Sequence, residues 1–197
     1  AIEAGFPIVS RGEMLAIKTI VKQGLRAEVC GLARAVESDI DAAIKCDLEY
    51  VHTFIATSDI HMQYKLKMTS AQVLDRAVTA VEYCKKHGLR VEFSAEDATR
   101  SNREFLLKVF KGVTDAGADR IDIPDTVGYR TPDYITQIVK DVKEVTNLPI
   151  SMHCHDDFVH EILTIRKDQE ELGCTHCHRT VGHGDSVGVG RFEPVST

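Results

Sequence analysis

The sequence predicts an α/β protein, a (β/α)8 barrel that lacks its first strand and its C-terminal end. Short β-rich runs alternate with helical patterns, an order typical of parallel sheets with right-handed crossovers. Seven strand-like runs can be counted in 197 residues, whereas a complete barrel needs eight in about 250 residues. The competing doubly wound sheet is disfavoured because the sequence contains neither G-x-G-x-x-G after its first strand nor G-x-x-x-x-G-K-[ST] anywhere.

The predicted strands are short, and no Pro/Gly/Ser-rich linker separates them. The first looks like a remnant at the start of the chain, and the last is the weakest candidate. They cover residues 2–6, 27–31, 50–56, 90–94, 120–123, 149–153 and 177–181.

Four helices with recognisable boundary signals are predicted between these strands. Two begin with a capping box, one begins with a Thr-Pro pair, and one ends at a glycine. They are 14–23 after Ser10 and Glu13, 105–116 after Ser101 and Glu104, a helix starting at Thr131 and Pro132, and 71–87 before Gly88.

Composition indicates one globular domain, with 43% hydrophobic and 27% charged residues. The net charge of −6 argues against a nucleic-acid surface, and no segment predicts a membrane span or a signal peptide. Six scattered cysteines are typical of a reducing compartment, so we expect a cytoplasmic protein. The chain starts with Ala1 inside an apolar segment, which suggests that a preceding strand is missing.

Two histidines separated by one residue end the sixth predicted strand. In an extended strand His153 and His155 point to the same side, as two ligands of one cation would. A pair of structural histidines is the alternative. Polar residues also follow other strands, and His52 and Glu96 would need partners inside a barrel mouth. Their convergence favours a metal-centred polar site over separate helix caps.

Six motifs resemble those of the 2-isopropylmalate synthase, homocitrate synthase and citramalate synthase group, in the same order. This group belongs to the metal-dependent acyl-CoA-condensing TIM-barrel superfamily that also contains 3-hydroxy-3-methylglutaryl-CoA lyase. The resemblance covers residues 2–158, and the tail 159–197 diverges. The motifs are Ile2-Glu3-Ala4-Gly5-Phe6-Pro7, the stretch from His52 to Ser58, Ile60-His61-Met62 with Tyr64-Lys65-Leu66, the stretch from Glu92 to Asp97, the stretch from Asp125 to Tyr129, and His153-Cys154-His155-Asp156-Asp157.

The resemblance implies that acetyl-CoA condenses with a 2-oxo acid similar to 2-oxoisovalerate, and that the thioester is then hydrolysed. It implies a divalent cation, Mn²⁺, Zn²⁺ or Mg²⁺, that polarises the ketone. The Tyr64-Lys65-Leu66 motif slightly favours the isopropylmalate or citramalate branch. The implied roles are metal binding by His153, His155 and His183, catalysis by His52 and Glu96, and substrate binding by His52, Ser94, Glu96 and Thr126.

Three departures from the family pattern leave other functions open. The family's first strand, which carries an Arg-Asp pair, is absent, as are its C-terminal helices. The loop from Gly182 to Val189 also differs from the family's Gly-Asn-Gly-Glu-Arg-x-Gly-Asn-like sequence. A related metal-dependent carbon–carbon lyase and a catalytically silent fragment are the alternatives. Open sheet edges invite pairing with another chain, so a homodimer or higher homo-oligomer is expected.

The tail contains Cys174, Cys177 and His178 in a C-x-x-C-H pattern, which is typical of haem attachment in exported proteins. No export signal and no second C-x-x-C pair accompany it in this sequence. A His/Cys-rich barrel strand is therefore the preferred interpretation.

Overall fold

The computed structural model describes residues 1–155, 176–181 and 185–187, the last two ranges as backbone strands. Eight strands form one sheet whose neighbours follow the order of the sequence. The first seven run parallel, and the eighth is antiparallel to the seventh. They are β1 (Ile2–Glu3), β2 (Val29–Arg34), β3 (Tyr50–Ala56), β4 (Arg90–Glu96), β5 (Arg120–Asp125), β6 (Ile150–Cys154), β7 (His176–Val181) and β8 (Asp185–Val187).

Helices connect the parallel strands, as expected for crossover connections. The α-helices are α1 (Arg11–Val21), α2 (Glu37–Ile44), α3 (Ser70–Lys86), α4 (Arg103–Asp115) and α5 (Pro132–Val145). Short 3₁₀ turns cover Pro7–Val9 and Ala98–Arg100, and a π-helical turn covers His61–Leu66.

The predicted α/β class is confirmed, and a strand is present at each of the seven predicted positions. The first strand covers only Ile2–Glu3 of the predicted 2–6, and the second begins two residues later than expected, where its pairing with β1 and β3 starts. Besides the three short helical turns, one helix and one strand were not predicted. The helix α2 has only eight residues, and β8 consists of Asp-Ser-Val, which does not form a β-rich run.

The helix starts show where local signals compete with tertiary contacts. Ser10 accepts a hydrogen bond from the Glu13 N–H at 3.1 Å, so half of the first predicted capping box is present. The other half is wrong, because the Glu13 carboxylate accepts from the Phe6 N–H at 3.2 Å instead. The second box is also wrong, since Asn102 rather than Ser101 caps α4.

The hydrophobic core lies between the sheet and its helices. Alternation along each strand sends one set of side chains to the helices, and Phe93, Ile121 and Met152 are fully buried there. Burial of each such side chain contributes about 1.5–3 kcal/mol. The other set carries polar groups, so the core also fixes the positions of His52 and Ser94 on the opposite side of the sheet.

In the part of the chain that the structure describes, no helix is long and apolar enough to cross a membrane.

Candidate active site

His52 is buried on β3 and hydrogen-bonded through both ring nitrogens. Its Nδ1 lies 2.6 Å from Oε2 of Glu3 on β1, and its Nε2 lies 2.8 Å from Oγ of Ser94 on β4. Parallel pairing aligns β3 with β4, so the two side chains meet across neighbouring strands. The predicted proximity of His52 and Ser94 is therefore present in the structure.

Ser94 extends the same line of polar groups to β5. Its hydroxyl donates to Oδ2 of Asp122, and the same oxygen lies 3.9 Å from Nε2 of His52. Asp122 and Ser94 are paired in register, which explains their contact. We call Glu3, His52, Ser94 and Asp122 the His52 chain.

The His52 chain carries a positive charge between two carboxylates. Burial lowers the pKa of His52, but the hydrogen bond with Glu3 and the charges of Glu92, Glu3 and Asp122 raise it to about 9. The imidazole is therefore protonated near neutral pH and donates from both nitrogens. This direction is consistent with Ser94 accepting from His52 and donating to Asp122.

A second polar layer lies one step nearer the amino ends of the strands. The Tyr50 hydroxyl donates to Glu92, and Nη1 of Arg120 lies 3.7 Å from Oε2 of the same carboxylate. Burial and the neighbouring Glu92 carboxylate raise the pKa of Tyr50. Glu92 lies two residues before Ser94 on β4, so both side chains are on the same face of the sheet and this layer lies next to the His52 chain.

Glu96 ends β4 on the same side as Ser94, two residues further along the strand. Its two carboxylate oxygens lie 2.6 and 2.8 Å from Nζ of Lys65. The Lys65 side chain is 50% exposed and that of Glu96 is 21% exposed. Sequence reasoning placed Glu96 at the mouth but missed Lys65, although this lysine belongs to the Tyr64-Lys65-Leu66 motif.

Thr126 lies directly after β5, and its hydroxyl accepts a hydrogen bond from the Asp97 N–H at 3.0 Å. Thr126 is therefore near the exit of β4, as predicted. The bond joins the ends of β4 and β5 and leaves the Thr126 hydroxyl hydrogen for another acceptor.

Asp97 was expected only as one of the polar residues that follow a strand, without a role of its own, and it is completely buried there with φ of +64°. Its carboxylate contacts Arg100 and Nδ1 of His61, the latter at 3.0 Å. Burial raises the pKa of Asp97, but hydrogen bonds from Arg100 and Ser58 outweigh burial and hold it below the ordinary value. The sequence signal was a carboxylate directly after a strand end, which equally predicts a helix cap.

His153 and His155 occupy the end of β6, where both are half-buried. Their rings stack with centroids 5.0 Å apart and planes at 26°, so the predicted placement on one side of the strand is present. The pairing register places His153 beside Pro124 of β5 and His178 of β7. Imidazole nitrogens suit divalent cations such as Zn²⁺, so the two adjacent rings are candidate ligands of one cation.

Within the described ranges, no group of three or more His, Cys, Asp or Glu side chains is arranged to hold a metal ion. The third predicted ligand, His183, lies outside the described residues. The described residues therefore include two candidate ligands, His153 and His155.

The model of the HMGL-like family matches residues 1–162. A 2-isopropylmalate synthase of Sulfurisphaera tokodaii is 54% identical over 98% of this chain and 51% of its own length. An (R)-citramalate synthase of Methanocaldococcus jannaschii is 48% identical over 98% of this chain and 40% of its own length. The chain thus spans about half or less of these curated relatives.

The fold was also compared with solved structures. The crystal structure of a 3-hydroxy-3-methylglutaryl-CoA lyase from Brucella melitensis superposes with a TM-score of 0.73 at 18% identity. The match covers 95% of this chain and 73% of the lyase. At this identity the likeness concerns the fold alone, and it confirms the predicted barrel architecture.

Proposed function

Because this chain belongs to the HMGL-like family, we propose that the whole protein condenses acetyl-CoA with a 2-oxo acid, as a 2-isopropylmalate synthase does. The observation that carries the proposal is 54% identity to such a synthase over 98% of the chain. The product would be a 2-alkylmalate, and hydrolysis of the thioester would release CoA.

In this proposal the His52 chain lines the pocket of the 2-oxo acid as a fixed set of polar groups. The imidazole is held between Glu3 and Ser94, so the pocket needs no reorganisation when the substrate binds. Ser94 lines the same pocket. The remaining hydrogen of the Thr126 hydroxyl donates to the substrate carboxylate.

Glu96 is the second proposed catalytic residue, because its carboxylate lies at the mouth two residues beyond Ser94. This position is where an acetyl thioester would approach an oxo acid held below it. If Glu96 and His52 are held in fixed positions, they place the two reactants correctly and so remove much of the entropic barrier to condensation.

His153 and His155 are the proposed metal ligands, and His183 is a further proposed ligand from outside the described residues. When bound, a divalent cation such as Mn²⁺, Zn²⁺ or Mg²⁺ would supply a Lewis acid for the ketone oxygen. The stacked pair on β6 supports this assignment, since both rings lie at one strand end.

Leucine biosynthesis, a cytoplasmic location and self-association as a homodimer or higher oligomer belong to the same proposal. The carbon–carbon lyase is the second candidate, because the same fold occurs in the Brucella melitensis lyase, although a shared fold does not by itself assign a function. The synthase remains the better supported function because the synthase relatives are far more similar in sequence.

The test is release of CoA thiol from acetyl-CoA by the full-length protein, with 2-oxoisovalerate or pyruvate and with Mn²⁺ or a chelator. We expect release that requires both the oxo acid and the metal, and loss of release in His153→Ala. A protein that releases no thiol with either oxo acid, but cleaves 3-hydroxy-3-methylglutaryl-CoA, would be a lyase. No activity of either kind would support a catalytically silent fragment.

A further inference from the structure

Lys65 reaches the mouth of the site from an element that is far away in sequence. Its ammonium contacts both oxygens of Glu96, 31 residues along the chain. Lys65 belongs to the π-helical turn His61–Leu66, which we call the mouth segment. Single π-helical turns occur frequently at functional sites.

The mouth segment is held at its beginning by a buried anchor. Nδ1 of His61 lies 3.0 Å from Oδ2 of Asp97, whose side chain is completely buried. The N–H of Lys67, which has φ of +53°, bonds the Met62 carbonyl and ends the segment. The backbone under Lys65 is therefore fixed, and its long stem makes the contact with Glu96.

The charges at this position explain why a cation is needed. Glu96 ends β4 on the side that carries Ser94 and His52, where the 2-oxo acid is proposed to bind. A 2-oxo acid is itself an anion, so an unpaired Glu96 would repel it at close range. The Lys65 ammonium, paired with the Glu96 carboxylate, offsets that repulsion and leaves the carboxylate in place.

We propose that Lys65 is a positioning residue that neutralises Glu96, so that an ionised 2-oxo acid can enter beside this carboxylate. The inference rests on the proposed function and adds a residue to it. It assigns Lys65 to binding of the anionic substrate, with little part in the chemical step. An ordinary surface ion pair at this exposure contributes little to the free energy of unfolding.

The test compares Lys65→Met with Lys67→Met in the full-length protein. Lys67 lies just beyond the mouth segment, is exposed, and forms no ion pair within the described part of the chain. Calorimetry with Mn²⁺ gives the Kd of 2-oxoisovalerate, and thiol release gives KM and kcat. In Lys65→Met we expect Kd and KM to rise roughly tenfold with kcat within about threefold, and Lys65→Arg to restore both.

The Glu96→Gln background separates neutralisation from direct contact with the substrate. If Lys65 acts through Glu96, adding Lys65→Met to Glu96→Gln leaves the Kd unchanged, because the charge to be neutralised is gone. A full tenfold loss in this background, or equal Kd values for Lys65→Met and Lys67→Met, would overturn the inference alone. A wild-type protein that neither binds the oxo acid nor releases thiol would overturn the proposed function and this inference together.

Discussion

The His52 chain and the Lys65–Glu96 pair lie on the same side of the sheet but in opposite environments. The His52 chain spans four strands and holds one imidazolium between two carboxylates, with His52, Ser94 and Asp122 buried and Glu3 exposed. The pair is partly exposed and joins the mouth segment to the end of β4. Interactions between charges are strong inside a protein and weak where water screens them.

The fold depends more on the buried polar groups around His52 than on the partly exposed Lys65–Glu96 pair. Loss of His52 would leave the buried Asp122 carboxylate without a compensating charge, whereas either member of the Lys65–Glu96 pair can be hydrated instead. We therefore expect stability to depend mainly on the interior and substrate binding to depend also on the mouth.

The largest expected effect on stability comes from His52→Ala. The substitution leaves the buried Asp122 carboxylate without its cation and beside a new cavity, and we expect the free energy of unfolding to fall by about 3–5 kcal/mol. Urea unfolding measures it. The matched control is Thr53→Val on the other face of β3, where the buried hydroxyl has no hydrogen-bond partner in the described part of the chain. That control should be neutral or stabilising, and a His52→Ala effect no larger than the control's would contradict the comparison.

A smaller effect is expected from pH. The pKa of His52 is raised to about 9 in the folded protein, from 6.5 as its ordinary value. The proton is therefore bound more tightly in the folded state, so this contribution is complete below pH 6.5 and is lost as pH rises through 9. The free energy of unfolding should fall by up to about 3 kcal/mol over that interval.

Urea unfolding at pH 6, 7.5 and 9 measures this slope. His52→Gln, which cannot titrate, is the control and should show a much flatter profile. Equal slopes in the wild type and in His52→Gln would show that another group carries the pH dependence.

Much of the fold was predictable because its strands are continuous β-rich runs with clear helix signals between them. The polar residues of the site could be placed near strand ends for the same reason. Partners from distant elements could not be predicted: Asp122 and Lys65 are ordinary charged residues in sequence, and Glu3 was expected at a strand exit but not as the partner of His52. Only the pairing register and the turn His61–Leu66 bring them to His52, Ser94 and Glu96.

Local signals also failed where a tertiary partner competed for the same group. Glu13 suited a capping box by its spacing from Ser10, but the Phe6 N–H takes its carboxylate. Thr126 was expected to contact substrate, and its oxygen in fact also accepts from Asp97, which joins two strand ends. In both cases the residue type was informative, and its partner depended on the packed structure.

The central claim is that the buried His52 chain carries stability, whereas the Lys65–Glu96 pair contributes to substrate binding. Its most direct test measures unfolding and oxo-acid binding in Ser94→Ala and Lys65→Met side by side. Ser94→Ala removes the buried hydroxyl between His52 and Asp122 and should cost about 1–3 kcal/mol of unfolding free energy. Lys65→Met should cost less than about 1 kcal/mol while it weakens 2-oxoisovalerate binding roughly tenfold. A Lys65→Met protein destabilised as much as Ser94→Ala, with oxo-acid binding unchanged, would contradict the account.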